Sequence, residues 1–332
     1  MDDRARLYDI LYALAARDGR EAALFGESAT LAREAFARSM ACEAFPEVWF
    51  EVPLAGNPWF DLHALTSRED VDAGMEFAYE TTGGNPDAFA WFASQEKGVR
   101  QLALSWDTGS GDISSPALQL LVSTDDTQVT CDFLDVAGRA DAIGPYREFI
   151  ARIPRGWFAC YAGAFPQRPG HNLRVECIPE RALQLTYAKD PALLKEHLAQ
   201  VGVDCAGGSL VERCRILSAM PFQIEFQFDV SECGKAGDTF GASVRFNVPP
   251  DAGEWQSFNP NGAAGELMGR VEAWGLSDER WRLLAGTMFA KRVTHAGEST
   301  LLYCYPAFVK LRWRNGEPLD AKAYLLAGAQ QA

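Results

Sequence analysis

Phe222-Gln223-Ile224-Glu225-Phe226-Gln227-Phe228-Asp229-Val230 alternates without a break. Phe222, Ile224, Phe226, Phe228 and Val230 share one parity, and Gln223, Glu225, Gln227 and Asp229 share the other. Strand side chains point to opposite faces with period two, so this stretch is a β-strand with one oily and one polar face. Residues 240–248 repeat the pattern: Phe240, Ala242, Val244, Phe246 and Val248 oppose Gly241, Ser243, Arg245 and Asn247. In 307–314, Ala307, Val309, Leu311 and Trp313 oppose Phe308, Lys310, Arg312 and Arg314, the last of these beside a turn at the surface. In the first two strands, 47–54 and 59–66, the same parity places Trp49, Glu51, Asp61 and His63 on the polar face.

The order of elements around these strands recurs. Helical spacing over 4–17 and 26–41 precedes the strands 47–54 and 59–66. A helix near Ser67 and another opened by Asn85-Pro86, a cap followed by proline, precede strands 99–107 and 117–123. Helices 128–137 and 145–152, interrupted by Gly138 and Gly144, lead into 157–165 and 172–178. Helices 191–201 and 208–219 lead into 222–230 and 240–248. Helices 262–274 and 277–291, the latter capped by Ser277, lead into 306–314 and 319–327, which Asn315-Gly316 joins as a hairpin.

Five ααββ units therefore fill residues 1–332, giving ten oily strand faces and ten amphipathic helices to cover them. A ten-stranded sheet curls, and closure removes its edges. The expected fold is α+β: one domain in which five consecutive ααββ repeats form a closed ten-stranded antiparallel barrel, helices outside and a polar lumen inside. The competing arrangement is two α+β domains dividing near residue 155.

Composition narrows the function. The net charge of −14, without a Lys/Arg run, disfavours a nucleic-acid partner. No apolar run approaches the roughly 18 residues of a membrane span, and the acidic start Met1-Asp2-Asp3-Arg4 is unlike a secretory signal, so the expectation is a cytoplasmic protein with no membrane partner. The eight cysteines form no CxxC pair and the four histidines no HExxH, so neither a disulfide framework nor a structural metal is expected. GxxxxGK[ST], GxGxxG after a strand, a nucleophile elbow and DDxxD are all missing.

Five ααββ units around a ten-stranded antiparallel barrel resemble the aromatic prenyltransferase barrel, the ABBA or PT-barrel family, across the whole chain. Locally, Lys322-Ala323-Tyr324 is similar to that family's Lys-x-Tyr strand and Glu51 to its first-strand acid. Of its Arg-x-Lys-x-Tyr strand, Ser243-Val244-Arg245-Phe246-Asn247 keeps only the Arg. The length resembles the bacterial and the peptide-modifying, cyanobactin-type members. The resemblance implies transfer of an allylic group from a prenyl diphosphate, dimethylallyl or geranyl, to an aromatic small molecule or a peptide side chain. No resident cofactor follows from it, although Mg2+ can accompany the diphosphate.

Such chemistry requires fixed cations aimed at the leaving diphosphate. On the inward parity the later strands offer Arg174, Arg245, Lys310, Arg312 and Lys322, with Tyr324 as a hydrogen-bond donor. The competing assignment pairs these cations with Glu176, Glu225 and Asp229. Trp49, Trp59, Trp157, Tyr161 and Phe308 share that parity and would shield a carbocation. Glu51 is the candidate base, its pKa expected to rise by desolvation beside Trp49, with Asp61 and His63 in support or in its place; the equal alternative makes Glu51 a salt-bridge partner for a lumen Arg. A barrel that binds a peptide or hydrophobic ligand without catalysis is the alternative function.

Overall fold

The computed structural model describes residues 13, 15–26, 47–67, 71–72, 85–95, 97–107, 116–165, 173–205, 209–246, 258–295 and 298–331. Expected helices at 4–17, 26–41 and near Ser67 fall largely outside them.

Ten strands close into an antiparallel barrel: β1 (Glu47–Pro53), β2 (Asp61–Thr66), β3 (Val99–Trp106), β4 (Ala117–Val122), β5 (Trp157–Ala164), β6 (Leu173–Pro179), β7 (Gln223–Val230), β8 (Ala236–Arg245), β10 (Glu298–Arg314) and β11 (Glu317–Gln331). Neighbours pair in chain order, and β11 returns to β1 with Glu51 opposite Tyr324 and Pro53 opposite Lys322. An eleventh strand, β9 (Phe289–His295), continues the edge that β8 leaves, pairing with Glu298–Cys304 of β10 while β8 pairs with Phe308–Arg314. One ladder runs through β4, β5 and β6, so strand pairing does not break near residue 155.

The helices show why a strict ααββ count does not hold. α1 (Pro86–Ser94) starts where Asn85-Pro86 predicts, and the Asn85 side chain accepts from the Ala88 amide at 3.1 Å. α2 (Thr127–Val136) and α3 (Ile143–Ile150) follow, the first stopped near Gly138, whose φ is +73°. Before β7 there are three helices rather than two: α4 (Arg181–Tyr187), α5 (Pro191–Gln200) and α6 (Ser209–Ala219). Seven residues of α4 are too few for a visible 3.6-residue period. Before β10, α7 (Ala263–Ala273) is followed by a 3-10 segment (Glu279–Thr287) and β9, in place of a helix over 277–291. Asp278 rather than Ser277 caps that segment, accepting from the Arg280 amide at 3.0 Å.

Two apolar clusters result. The large one lies between barrel and helices and includes Phe226, Phe228, Phe240, Val244, Leu311 and Trp313, all buried. α3 delivers Phe149 onto Phe228 at 5.2 Å between ring centroids. Each such fully buried side chain contributes about 1.5–3 kcal/mol of transfer free energy. The small cluster lies inside the barrel: Ala307, Phe308, Tyr324 and Leu326, flanked by Trp49, Tyr303 and Tyr305.

Candidate functional site

The lumen holds a cavity of about 390 Å³, within the range of small-molecule sites. The cavity wall includes Trp49, Glu51 and His63 of β1–β2, Arg174 and Glu176 of β6, Glu225 of β7, and Lys310 and Tyr324 of β10–β11. At the end where strands meet helices it reaches the exposed Arg100. At the hairpin end Asp61, Arg174, Asp229 and Lys322 are buried.

One ionic cluster occupies that hairpin end. Lys322 Nζ lies 2.5 Å from Glu51 Oε1 and 3.5 Å from Asp61 Oδ2, and Lys310 Nζ lies 3.9 Å from Glu51 Oε1. Lys310 and Lys322 are cross-strand partners, which explains why two ammonium groups share one carboxylate. Lys310 also donates to the Tyr324 hydroxyl, and Lys322 sits 4.4 Å from the Trp59 ring centroid. His63 Nε2 meets Glu51 Oε2 at 3.0 Å, while its Nδ1 meets Ser105 Oγ at 2.7 Å and Gln119 Nε2 at 3.4 Å. An amide nitrogen only donates, so Nδ1 is the acceptor and Nε2–H donates to Glu51.

Burial pushes the Glu51 carboxyl up, but Lys310, Lys322 and His63 together outweigh it and hold the group well below the usual carboxylate range. The expected upward shift is therefore corrected: Trp49 flanks Glu51, yet two buried ammonium groups decide its charge. Burial pulls Lys310 down to about 8 against the opposing pull of Glu51. Burial and Glu51 raise the Tyr324 phenol well above its ordinary value, keeping it a donor.

The cations of the later strands converge inside the barrel, each beside a carboxylate. Arg174 Nε lies 2.7 Å from Asp229 Oδ1, and Arg245 Nε lies 2.5 Å from Glu225 Oε1. Arg312 stands apart: its Nε reaches Asp320 Oδ1 at 2.7 Å near the hairpin turn, away from the cavity wall. Arg314 is exposed there, as expected beside a turn.

The aromatic wall stacks Phe308 on Tyr324 at 4.0 Å, with Trp49 5.1 Å from Phe308. The Arg245 guanidinium carbon lies 5.1 Å from the Phe308 centroid. Tyr161 lines the cavity, and a Cβ at neighbouring Gly163 would come within 2.5 Å of its hydroxyl, so only glycine leaves that ring its place.

Trp157 does not face the lumen. Its ring packs on Phe226 at 5.1 Å, and its Nε1 donates to the Tyr187 hydroxyl at 2.7 Å, within the helix-covered core. A β-bulge between Ala159 and Tyr161 inserts one residue and reverses the parity of everything before it. A second bulge, between Pro306 and Phe308, brings Tyr305 inward, a residue that alternation counted from Phe308 assigns outward. Glu176, placed by sequence only as a partner for cations, accepts a hydrogen bond from neutral Gln227, and burial and Glu225 push its carboxyl up. Ser105 and Gln119 were legible in principle from the alternation of β3 and β4.

Among the described residues no group of three or more His, Cys, Asp or Glu is placed to hold a metal ion. All seven described cysteines are free, and no described helix is long and apolar enough to cross a membrane.

Fold and site together define a closed ten-stranded α+β barrel with a charged and aromatic lumen. No protein-family model matches the chain, and no curated protein matches it.

Proposed function

We propose that this barrel is a prenyltransferase of the PT-barrel kind, a set of ααββ units in which one unit has gained a helix and another a strand. It moves an allylic group from a prenyl diphosphate to an aromatic small molecule or a peptide side chain. The observation that carries the reading is Glu51 held by two lysines and His63 at the charged end of a cavity whose other wall is aromatic.

In this reading Lys310, Lys322 and Arg174 hold the diphosphate, and the Tyr324 hydroxyl donates to it. Heterolysis of the C1–O bond leaves the electron pair on the diphosphate. A unit charge pair at about 4 Å is worth roughly 4 kcal/mol at an effective dielectric near 20, so cations that gain as the leaving group becomes more anionic favour the transition state. Competition from their present carboxylates subtracts from this. Trp49, Tyr305 and Phe308 shield the allylic cation from water. The acceptor's electron pair forms the new bond to C1, and its displaced proton goes to Glu51. Because Lys310 and Lys322 hold Glu51 ionised and weakly basic, a diphosphate that engages both lysines raises its basicity only when donor is bound. His63, fixed by Ser105 and Gln119, orients the carboxylate.

The test is incubation with dimethylallyl or geranyl diphosphate and a panel of aromatic acceptors and peptides, reading diphosphate release and product mass. The reading fails if no donor binds and none is consumed across that panel. A non-catalytic ligand-binding barrel is favoured by one observation, the pairing of each lumen cation with a carboxylate. It predicts saturable binding of peptides or hydrophobic ligands with no turnover.

A further inference from the structure

The β6–β7 wall carries a group that the donor chemistry does not use. Glu225 is 1% exposed and lines the cavity; its Oε1 meets Arg245, while its Oε2 has no hydrogen-bond partner. A buried carboxylate oxygen without a donor is costly and calls for one. Glu176 stands diagonally beside it, opposite Gln227 on the adjacent strand, and also lines the cavity. Its side-chain bond is to the neutral Gln227 amide. Arg245 ties this wall to the aromatic one, with its guanidinium carbon 6.0 Å from the Trp49 ring centroid, and Trp49 Nε1 is itself buried without a partner.

We infer that Glu225 and Glu176 form an acceptor subsite that grips an N–H or O–H on the edge of an aromatic ring, with that ring against Trp49 and Phe308. Arg245 at this position disfavours a cationic ligand, and burying a further charge is expensive, so the donor is a neutral ring group. The unmatched Trp49 Nε1 asks for an acceptor oxygen as well. An indole or phenol side chain flanked by amide carbonyls meets all three requirements. Naming the ligand as the acceptor rests on the prenyl-transfer reading; the hydrogen-bonding subsite does not.

The experiment is calorimetric binding, without any donor, of N-acetyltryptophanamide and N-acetyltyrosinamide against their 1-methyl and O-methyl analogues. A hydrogen bond to a charged group is worth about 1.5–3 kcal/mol, so capping should weaken binding to the unaltered protein about tenfold or more. In Glu225→Gln and Glu176→Gln that ratio should shrink to about threefold or less. Glu176→Gln leaves every lumen ion pair in place, which covers the case in which Glu225→Gln misfolds. Equal binding of capped and uncapped probes overturns the inference, as does failure of any uncapped probe to bind. A full ratio persisting in both variants overturns it too. Diphosphate release is measured separately. Release without ring-donor preference removes the subsite alone, and preference without release under any condition removes prenyl transfer and leaves the subsite standing.

Discussion

At the hairpin end of the lumen, Glu51 and Asp61 sit beside Lys310 and Lys322, and the Tyr324 hydroxyl takes a hydrogen bond from one of those lysines. On the β6–β7 wall, Glu225 pairs with Arg245 and Glu176 accepts from the neutral Gln227 amide, while the Glu225 Oε2 goes without a hydrogen-bond partner. The two regions are lined by the same residue types, yet in the first, two ammonium groups stand against two carboxylates, and in the second the single guanidinium of Arg245 stands beside two. Matching makes a rigid cluster whose charges respond as a unit when an anion arrives. In the subsite inferred above, a ligand carrying hydrogen completes the second region.

Several measurements can break or sharpen this contrast. Glu51→Gln should have the largest effect, lowering kcat about 10²- to 10⁴-fold, the usual span of a lost general base, while the donor still binds, and more tightly because its competitor for Lys310 and Lys322 is gone. Donor-titrated single-turnover kinetics would show it, and an unchanged kcat would remove Glu51 as the base.

Next, Lys322→Met takes away a cation 2.5 Å from Glu51 and 3.5 Å from Asp61. Leaving buried charge uncompensated costs about 3–5 kcal/mol, measurable as a fall in the urea midpoint. A loss below about 1 kcal/mol would show that the cluster is solvated and the comparison misplaced.

Lys310 gives a smaller, pH-dependent effect. Its pKa is about 8 in the fold against an ordinary value of 10.5, so between those limits the unfolded chain binds more protons. Its contribution to stability therefore rises with pH from about 8 to 10.5 and is constant below, where both states are protonated. Donor affinity runs the opposite way, weakening as the ammonium is lost above pH 8, and Lys310→Met should flatten both profiles. The smallest change is expected from Glu176→Gln, which removes a carboxyl whose bond is to a neutral amide: less than about 1 kcal/mol in either direction.

Legibility of the site followed the regularity of each strand. In β1 and β2 alternation runs uninterrupted, and Trp49, Glu51 and His63 all line the cavity, with Asp61 buried on the same face beside Lys322. In β5 a single inserted residue sends Trp157 into the outer core while Tyr161 stays inside, and in β10 another brings Tyr305 in. A bulge is invisible to a period-two count because it is a property of two paired strands, and either strand alone still reads as alternating. The parity of Arg312 was right, but its distance along the barrel put it with Asp320 near the turn. Helix α4 escaped notice because seven residues are too few to show a helical period, and β9 because its start was assigned to the helix expected over 277–291.

The amino-acid order by itself determined that ten strands exist, that each has an oily and a polar face, and that cations and carboxylates share the polar side. These are local properties, set by alternation and short turn signals. Closure, the two bulges and the partner of every lumen charge were decided only in the tertiary structure. They depend on which strands lie side by side, and the burial that turns Glu51 and Lys310 from surface charges into a coupled pair exists only once β11 has met β1.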